Sequence, residues 1–148
     1  MNINTREVTH EQSSLIAASL QEVWQLHTDA ESWPTWNSDV VAVMLNGPMA
    51  VGGTISATTS HGCWTVRIYA LIDKELTFWG NVVDDGSRWL QTWAFEETFR
   101  RAHVAVTTSV LGSDADAAAA LAADLHAAAE TQLTNLQLCA EYPEARGA

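Results

Sequence analysis

Lysine is nearly missing from this chain. Lys74 is the only one, and with six arginines it faces eighteen acidic residues, for a formal net charge of −11. A surface so poor in cations does not suit a phosphate backbone or an anionic bilayer, so nucleic acid and membrane are not expected as partners. Cysteine is almost as scarce. Cys63 and Cys139 could pair with each other, but two cysteines do not make the disulfide framework of a small secreted domain. No Cys-x-x-Cys or His/Cys cluster has zinc spacing, and neither a metal nor a cofactor is expected. Long apolar runs are missing too: no segment approaches ~20 consecutive apolar residues, which argues against membrane insertion. Met1 to Glu11 is polar and lacks the apolar stretch of a signal peptide, so the expected location is the cytoplasm.

Tryptophan is what the chain has in excess, with seven residues at positions 24, 33, 36, 64, 79, 89 and 93. Two of them flank a proline in Ser32-Trp33-Pro34-Thr35-Trp36-Asn37. Pro34 fixes its own φ and disfavours helical backbone at Trp33, so a turn is expected there. An indole has a large apolar body and one N–H donor, which suits a core corner or the wall of an organic-ligand pocket. So much flat aromatic surface in a small protein points towards a cavity.

The length of 148 residues fits one domain, 1–148, with an ordered core over about 12–141. Residues 12–18 read as a first strand. Ser19 followed three residues later by Glu22 is a capping box, and Leu20, Val23, Trp24 and Leu26-His27 place a helix over 20–28. A second helical turn is expected from Asp29 to Trp33, ending before Pro34. Strands then follow over Val40–Leu45, Thr54–Ser60, Cys63–Ile72, Leu76–Val83, Trp89–Phe99 and His103–Leu111. The sharpest hairpin signal is Asp84-Asp85-Gly86-Ser87. Ser113 with Asp116 marks a second helix start. Leu121, Leu125, Ala129, Leu133 and Leu136 then share one stripe, and the helix is expected to end before Tyr142-Pro143.

The element order predicts an α+β fold: a curved antiparallel sheet of about seven strands around a long C-terminal helix, with two short helices after strand 1. Alanines on that helix would hold open a wedge between helix and sheet. Further marks along the chain are Ile16-Ala17-Ala18 leading to Val23-Trp24, the Trp33–Asn37 segment, Asn46-Gly47-Pro48 and Gly52-Gly53. Leu76-Thr77-Phe78-Trp79-Gly80, Gln91-Thr92-Trp93-Ala94-Phe95, Gly112 and Leu133 to Glu141 follow. On these residues the chain resembles the polyketide cyclase/dehydrase and lipid-transport family of the START-like (SRPBCC) superfamily, the helix-grip fold. The superfamily includes binders, carriers, cyclases, aromatases and partner-binding regulators.

Strand alternation selects the candidate site residues. Trp89, Gln91, Trp93 and Phe95 share one face, as do Leu76, Phe78 and Gly80, then Trp64, Val66, Ile68 and Ala70, then Val104, Val106, Thr108 and Val110. Gln91 and Thr108 are the polar groups among apolar neighbours. The resemblance implies that a histidine often stands at the first of these positions and a glutamate at the second. This chain departs at both, and neither Gln nor Thr titrates near neutral pH. The expected ligand-binding set is Trp33, Trp36, Trp64, Phe78, Gln91, Trp93, Thr108, Leu125 and Ala129, with Trp33 and Trp36 open to a corner-packing reading as well. Candidates for chemistry are His61, in a turn that could border the cavity mouth, together with Gln91 and Thr108. His27 and His126 are read as helix-surface or boundary residues, Arg67 as a solvated sheet-face residue, Cys63 as a small packing residue, and Trp79 as a partly exposed residue that could mark a homodimer contact.

The leading expectation is a protein that binds a hydrophobic, aromatic or polyketide-like small molecule between sheet and C-terminal helix, with cyclisation or dehydration as the reaction it could promote. The alternatives are a non-catalytic carrier or sequestering protein with the same cavity, and a partner-binding regulator using an exposed aromatic surface.

Overall fold

A computed structural model describes residues 7–60, 62–81 and 86–145. Seven strands, β1 (Glu7–Ile16), β2 (Val40–Asn46), β3 (Thr54–Thr59), β4 (Gly62–Ile72), β5 (Glu75–Asn81), β6 (Arg88–Thr98) and β7 (Arg101–Leu111), form one sheet. Its order is β1-β7-β6-β5-β4-β3-β2, with every pair antiparallel. From β2 to β7 each strand pairs with the next, so only β1 to β2 must cross from one edge to the other. Helices α1 (Leu20–Thr28) and α2 (Trp33–Trp36), with a 3-10 turn at Ala30–Ser32 between them, make that crossing. The long helix α3 (Ala115–Glu141) lies over β1 and β7 and against α1. This is the expected helix-grip architecture.

Several boundaries differ from the sequence expectation for identifiable reasons. Strand β1 starts at Glu7 and stops at Ile16, where Ala18 N–H turns back to the Ile16 carbonyl. Val8 and Ile16 of its inward face pack on the core, whereas Gln12 and Ser14 between them bond to α3: Gln12 Nε2 donates to the His126 carbonyl at 3.2 Å and Ser14 Oγ to Gln137 at 2.8 Å. Apolar alternation, the usual strand signal, is therefore interrupted. Pro34 does not end a helix but lies inside the first turn of α2, where its missing N–H is not needed. Trp33 adopts helical backbone after all, with φ −50° and ψ −43°. Its buried indole, donating Nε1 to the His27 carbonyl at 2.9 Å, outweighs the pre-proline preference.

Helix α1 spans its expected residues, with the Ser19 hydroxyl accepting from Glu22 N–H at 3.2 Å. The cap of α3 is Asp114 rather than Ser113; its carboxylate accepts from Ala117 N–H at 2.8 Å. Gly112 lets α3 begin directly against the end of β7, since a Cβ there would collide with the Ala118 backbone. The leucine stripe of α3 is buried as expected. In β4 a bulge at Tyr69 reverses the alternation: Ile68 opposes Phe78, but Ala70 opposes Thr77 and Leu71 opposes Leu76. Ala70 thus leaves the inner face it was expected to share with Trp64, Val66 and Ile68, and Leu71 packs on the core instead. Among the described residues, no helix is long and apolar enough to cross a membrane.

Candidate functional site

Helix α3 covers the β1/β7 side of the sheet, and between it and β3–β6 lies a partly open cavity of about 110 Å3. Trp64 on β4, Phe78 on β5, and Trp89, Gln91 and Trp93 on β6 form its sheet wall. Leu125, Ala128, Ala129 and Gln132 of α3 close it from above, and His27 and Trp33 close the end nearest α1. The small side chains of Ala128 and Ala129 leave the space that leucines would fill. Gly80 lies beneath the Trp89 indole, where a Cβ would come within 2.5 Å of the ring. Trp89 thereby lies close to β5 and meets Trp64 edge-on, with centroids 6.2 Å apart and planes at 87°.

His27 is a polar residue at the α1 end of this site, and its complete burial corrects the expectation of a helix-surface or boundary residue. It is 0% exposed, and its ring packs against Trp93 (4.2 Å), Phe95 (5.3 Å) and Trp33 (5.7 Å). Neither ring nitrogen has a hydrogen-bond partner among the described residues. Burial lowers its pKa from the ordinary 6.5 to about 3, so the imidazole is neutral around pH 7. A signal was available: His27 is four residues after Val23 and three after Trp24, on the buried stripe of α1.

Gln91 faces the cavity, as its strand phase predicted, and its amide is already engaged. Trp93 Nε1 donates to Gln91 Oε1 at 2.8 Å, and Gln91 Nε2 donates to Thr108 Oγ1 at 3.2 Å. Thr108 is buried on the same face but does not line the cavity; it stands behind Gln91 on β7. At the α2 end, Asn37 Nδ2 donates to Gln132 Oε1, while Asn37 Oδ1 accepts from Asn135 Nδ2 and Asp39 N–H, both at 3.0 Å. This amide cluster ties α2 to α3 across one end of the cavity. Gln132 was also missed, although it follows Leu125 by seven residues and Ala129 by three.

The cavity continues outward. A second depression shares Asp39, Thr59, Trp64 and Ala128 with the cavity wall and extends to Asp124, Ala127 and Thr131. Asp39 accepts a hydrogen bond from the Ser60 hydroxyl and is half-buried, whereas Asp124 is exposed. No lysine or arginine among the described residues lines either space. The mouth is therefore acidic.

Of the residues expected to touch ligand, Trp33, Trp64, Phe78, Gln91, Trp93, Leu125 and Ala129 line the cavity. Trp36 does not: its Nε1 donates to Ser32 Oγ at 3.2 Å, and the ring borders a shallow depression on the outside of α1 and α2. His61 lies outside the described residues. Cys63, read as a packing residue, is exposed on β4, and Arg67 is solvated as expected. Trp79 is half-buried on the outer face beside Leu90 and Leu111. Among the described residues, no three His, Cys, Asp or Glu side chains cluster as a metal site would require.

A family model described as polyketide cyclase / dehydrase and lipid transport matches residues 16–134. No curated protein sequence matches the chain. Solved structures with the same fold include the di-domain ARO/CYC BexL of the BE-7585A biosynthetic pathway, at 19% identity and TM-score 0.72, over 88% of this chain and 45% of that one. The di-domain ARO/CYC StfQ of the steffimycin pathway is similar at 15% identity and TM-score 0.73, over 95% of this chain and 53% of that one. This chain thus spans about half the length of those two proteins. Ara h 8.0201 matches at 10% identity and TM-score 0.72, over 88% of this chain and 95% of that one.

Proposed function

This chain belongs to the polyketide cyclase / dehydrase and lipid transport family, whose fold binds hydrophobic ligands, and from that premise we propose that it binds an aromatic or polyketide-like small molecule with one ring inserted in the cavity. The observation that carries the reading is the cavity wall: Trp33, Trp64, Trp89, Trp93 and Phe78 line a space of about 110 Å3 that opens outward past Asp39. Benzene fills a dry engineered cavity of ~150 Å3, so this smaller space takes no more than one ring, and the rest of a ligand must extend into the acidic mouth. A solid core would have favoured the partner-binding regulator instead.

Promotion of cyclisation or dehydration is a second reading, favoured by one observation, the unpartnered imidazole of His27 inside the same cavity. The first reading is tested by titrating the protein with toluene and following tryptophan emission and heat. Saturable quenching is expected, and Ala129→Leu, which fills the space, should abolish it while leaving the unfolding midpoint equal or higher. No response in the parent protein, or an unchanged response in Ala129→Leu, would contradict a ligand site there.

A further inference from the structure

The cavity holds one group that its own protein leaves unsatisfied. His27 is fully buried and lines the space, yet neither ring nitrogen is paired among the described residues. Its polar neighbours are differently placed: Gln91 bridges Trp93 and Thr108, and Asn37 bridges Gln132, Asn135 and Asp39. A buried polar atom without a partner is disfavoured, so a group that pairs with it on binding gains more than the same bond would give at the surface.

We propose that His27 is the polar anchor of the bound molecule, and that this molecule is a compact, uncharged aromatic carrying a hydroxyl at its buried end, a phenol by chemical class. The inference rests on the ligand-binding reading above and narrows it. Size limits the inserted part to about one ring. Charge is excluded at this end because the groups packed on His27 are Trp33 from α2, Phe78 from β5, and Trp93 and Phe95 from β6. None of these titrates near neutral pH or carries a charge, so a carboxylate or ammonium would be stripped of water with no counter-charge. The neutral imidazole that burial enforces offers one N–H donor and one bare nitrogen acceptor. A carbonyl or ether can only accept and an ammonium can only donate. A hydroxyl does both, and so pairs with whichever nitrogen faces the cavity.

Titration of the full chain with p-cresol and with toluene, which differ by the hydroxyl alone, tests the anchor. The parent protein should bind p-cresol at least as tightly as toluene, because the bond to His27 offsets the loss of hydroxyl hydration. In His27→Phe the ratio of the two affinities should move about ten-fold or more towards toluene. If the variant does not fold, the imidazole 15N resonances of His27 in the parent protein give the answer, and p-cresol should shift them well beyond any change caused by toluene. An unchanged affinity ratio in His27→Phe, a strong preference of the parent for toluene, or p-cresol binding that leaves the His27 resonances in place would overturn the anchor and leave the cavity reading standing. Binding of neither molecule would remove both.

Discussion

The imidazole of His27 lies 4.2 Å from the indole of Trp93, centroid to centroid, with the two planes tilted by 36°. One ring comes from α1 and the other from β6, so the connection crossing between sheet edges also closes the end of the cavity. Trp93 is itself held by Gln91, and Gln91 by Thr108. A titratable ring is thus packed on a fixed aromatic surface.

Acid stability follows from this placement. The folded protein holds His27 neutral down to about pH 3, whereas the unfolded chain protonates it near 6.5. Between those values the unfolded state binds the extra proton, so stability rises with pH and is lost as pH falls from 6.5 towards 3, by at most ~1.4 kcal/mol per pH unit. His27→Phe should remove that contribution and flatten the curve in this window. Urea unfolding from pH 7 to pH 4 measures it; identical slopes for both proteins would show that His27 is not kept neutral.

Gln91→Leu should cost stability as well as any ligand affinity. The substitution leaves the Trp93 N–H and the Thr108 hydroxyl without their partner, a penalty of about 1–3 kcal/mol for each group. In a double-mutant cycle with Trp93→Phe, part of that loss should be recovered, with a coupling of about 1 kcal/mol. Strictly additive denaturant midpoints would mean that the Gln91–Trp93 bond contributes nothing.

Gly80→Ala places a methyl group within 2.5 Å of the Trp89 indole, which Trp64 meets on another side. The ring must shift, at a cost of about 1–3 kcal/mol, and its movement should reshape the cavity. Thermal unfolding and near-UV circular dichroism should both change, together with a loss of toluene response. A variant with parent-like spectra and binding would contradict the tight contact.

The acidic mouth should discriminate by charge at the outer end of a ligand. With Asp39 and Asp124 at the rim and no lysine or arginine lining it among the described residues, 3-phenylpropanoate should bind several-fold more weakly than 3-phenylpropanol. Asp124→Asn and added salt should each narrow the gap, because Asp124 is exposed and its field is screened. A gap that is unaffected by either would place the ligand's free end elsewhere.

Much of this arrangement was legible in the residues. Strands β5 to β7 bury every second side chain, so Phe78, Gln91, Trp93 and Val106 declared their face by alternation alone. The α3 stripe did the same at helical spacing. The failures have local causes. The first five residues of β1, Glu7 to Glu11, hold a single apolar side chain, Val8, so no apolar alternation marked them as strand. The bulge at Tyr69 reverses the phase of β4 without a glycine or proline to announce it. Trp33 and Trp36 share one helical turn, yet one indole is bonded inward to the His27 carbonyl and the other outward to Ser32. Nothing in their spacing separates them. His27 was misjudged because histidine is usually a surface residue, although its position on the Val23 stripe said otherwise.

Co-crystallisation with 4-bromophenol gives the most direct test, since anomalous scattering from bromine fixes the position and direction of the ring. The expected map has the ring between Trp64, Trp93 and Ala129, with bromine towards Asp39 and the hydroxyl within hydrogen-bond distance of a His27 ring nitrogen. Bromophenol bound only outside this cavity, beside Trp79 or Trp36 for example, or seated in it with the hydroxyl turned to the mouth, would contradict the assignment of His27 as the polar end of a ligand site.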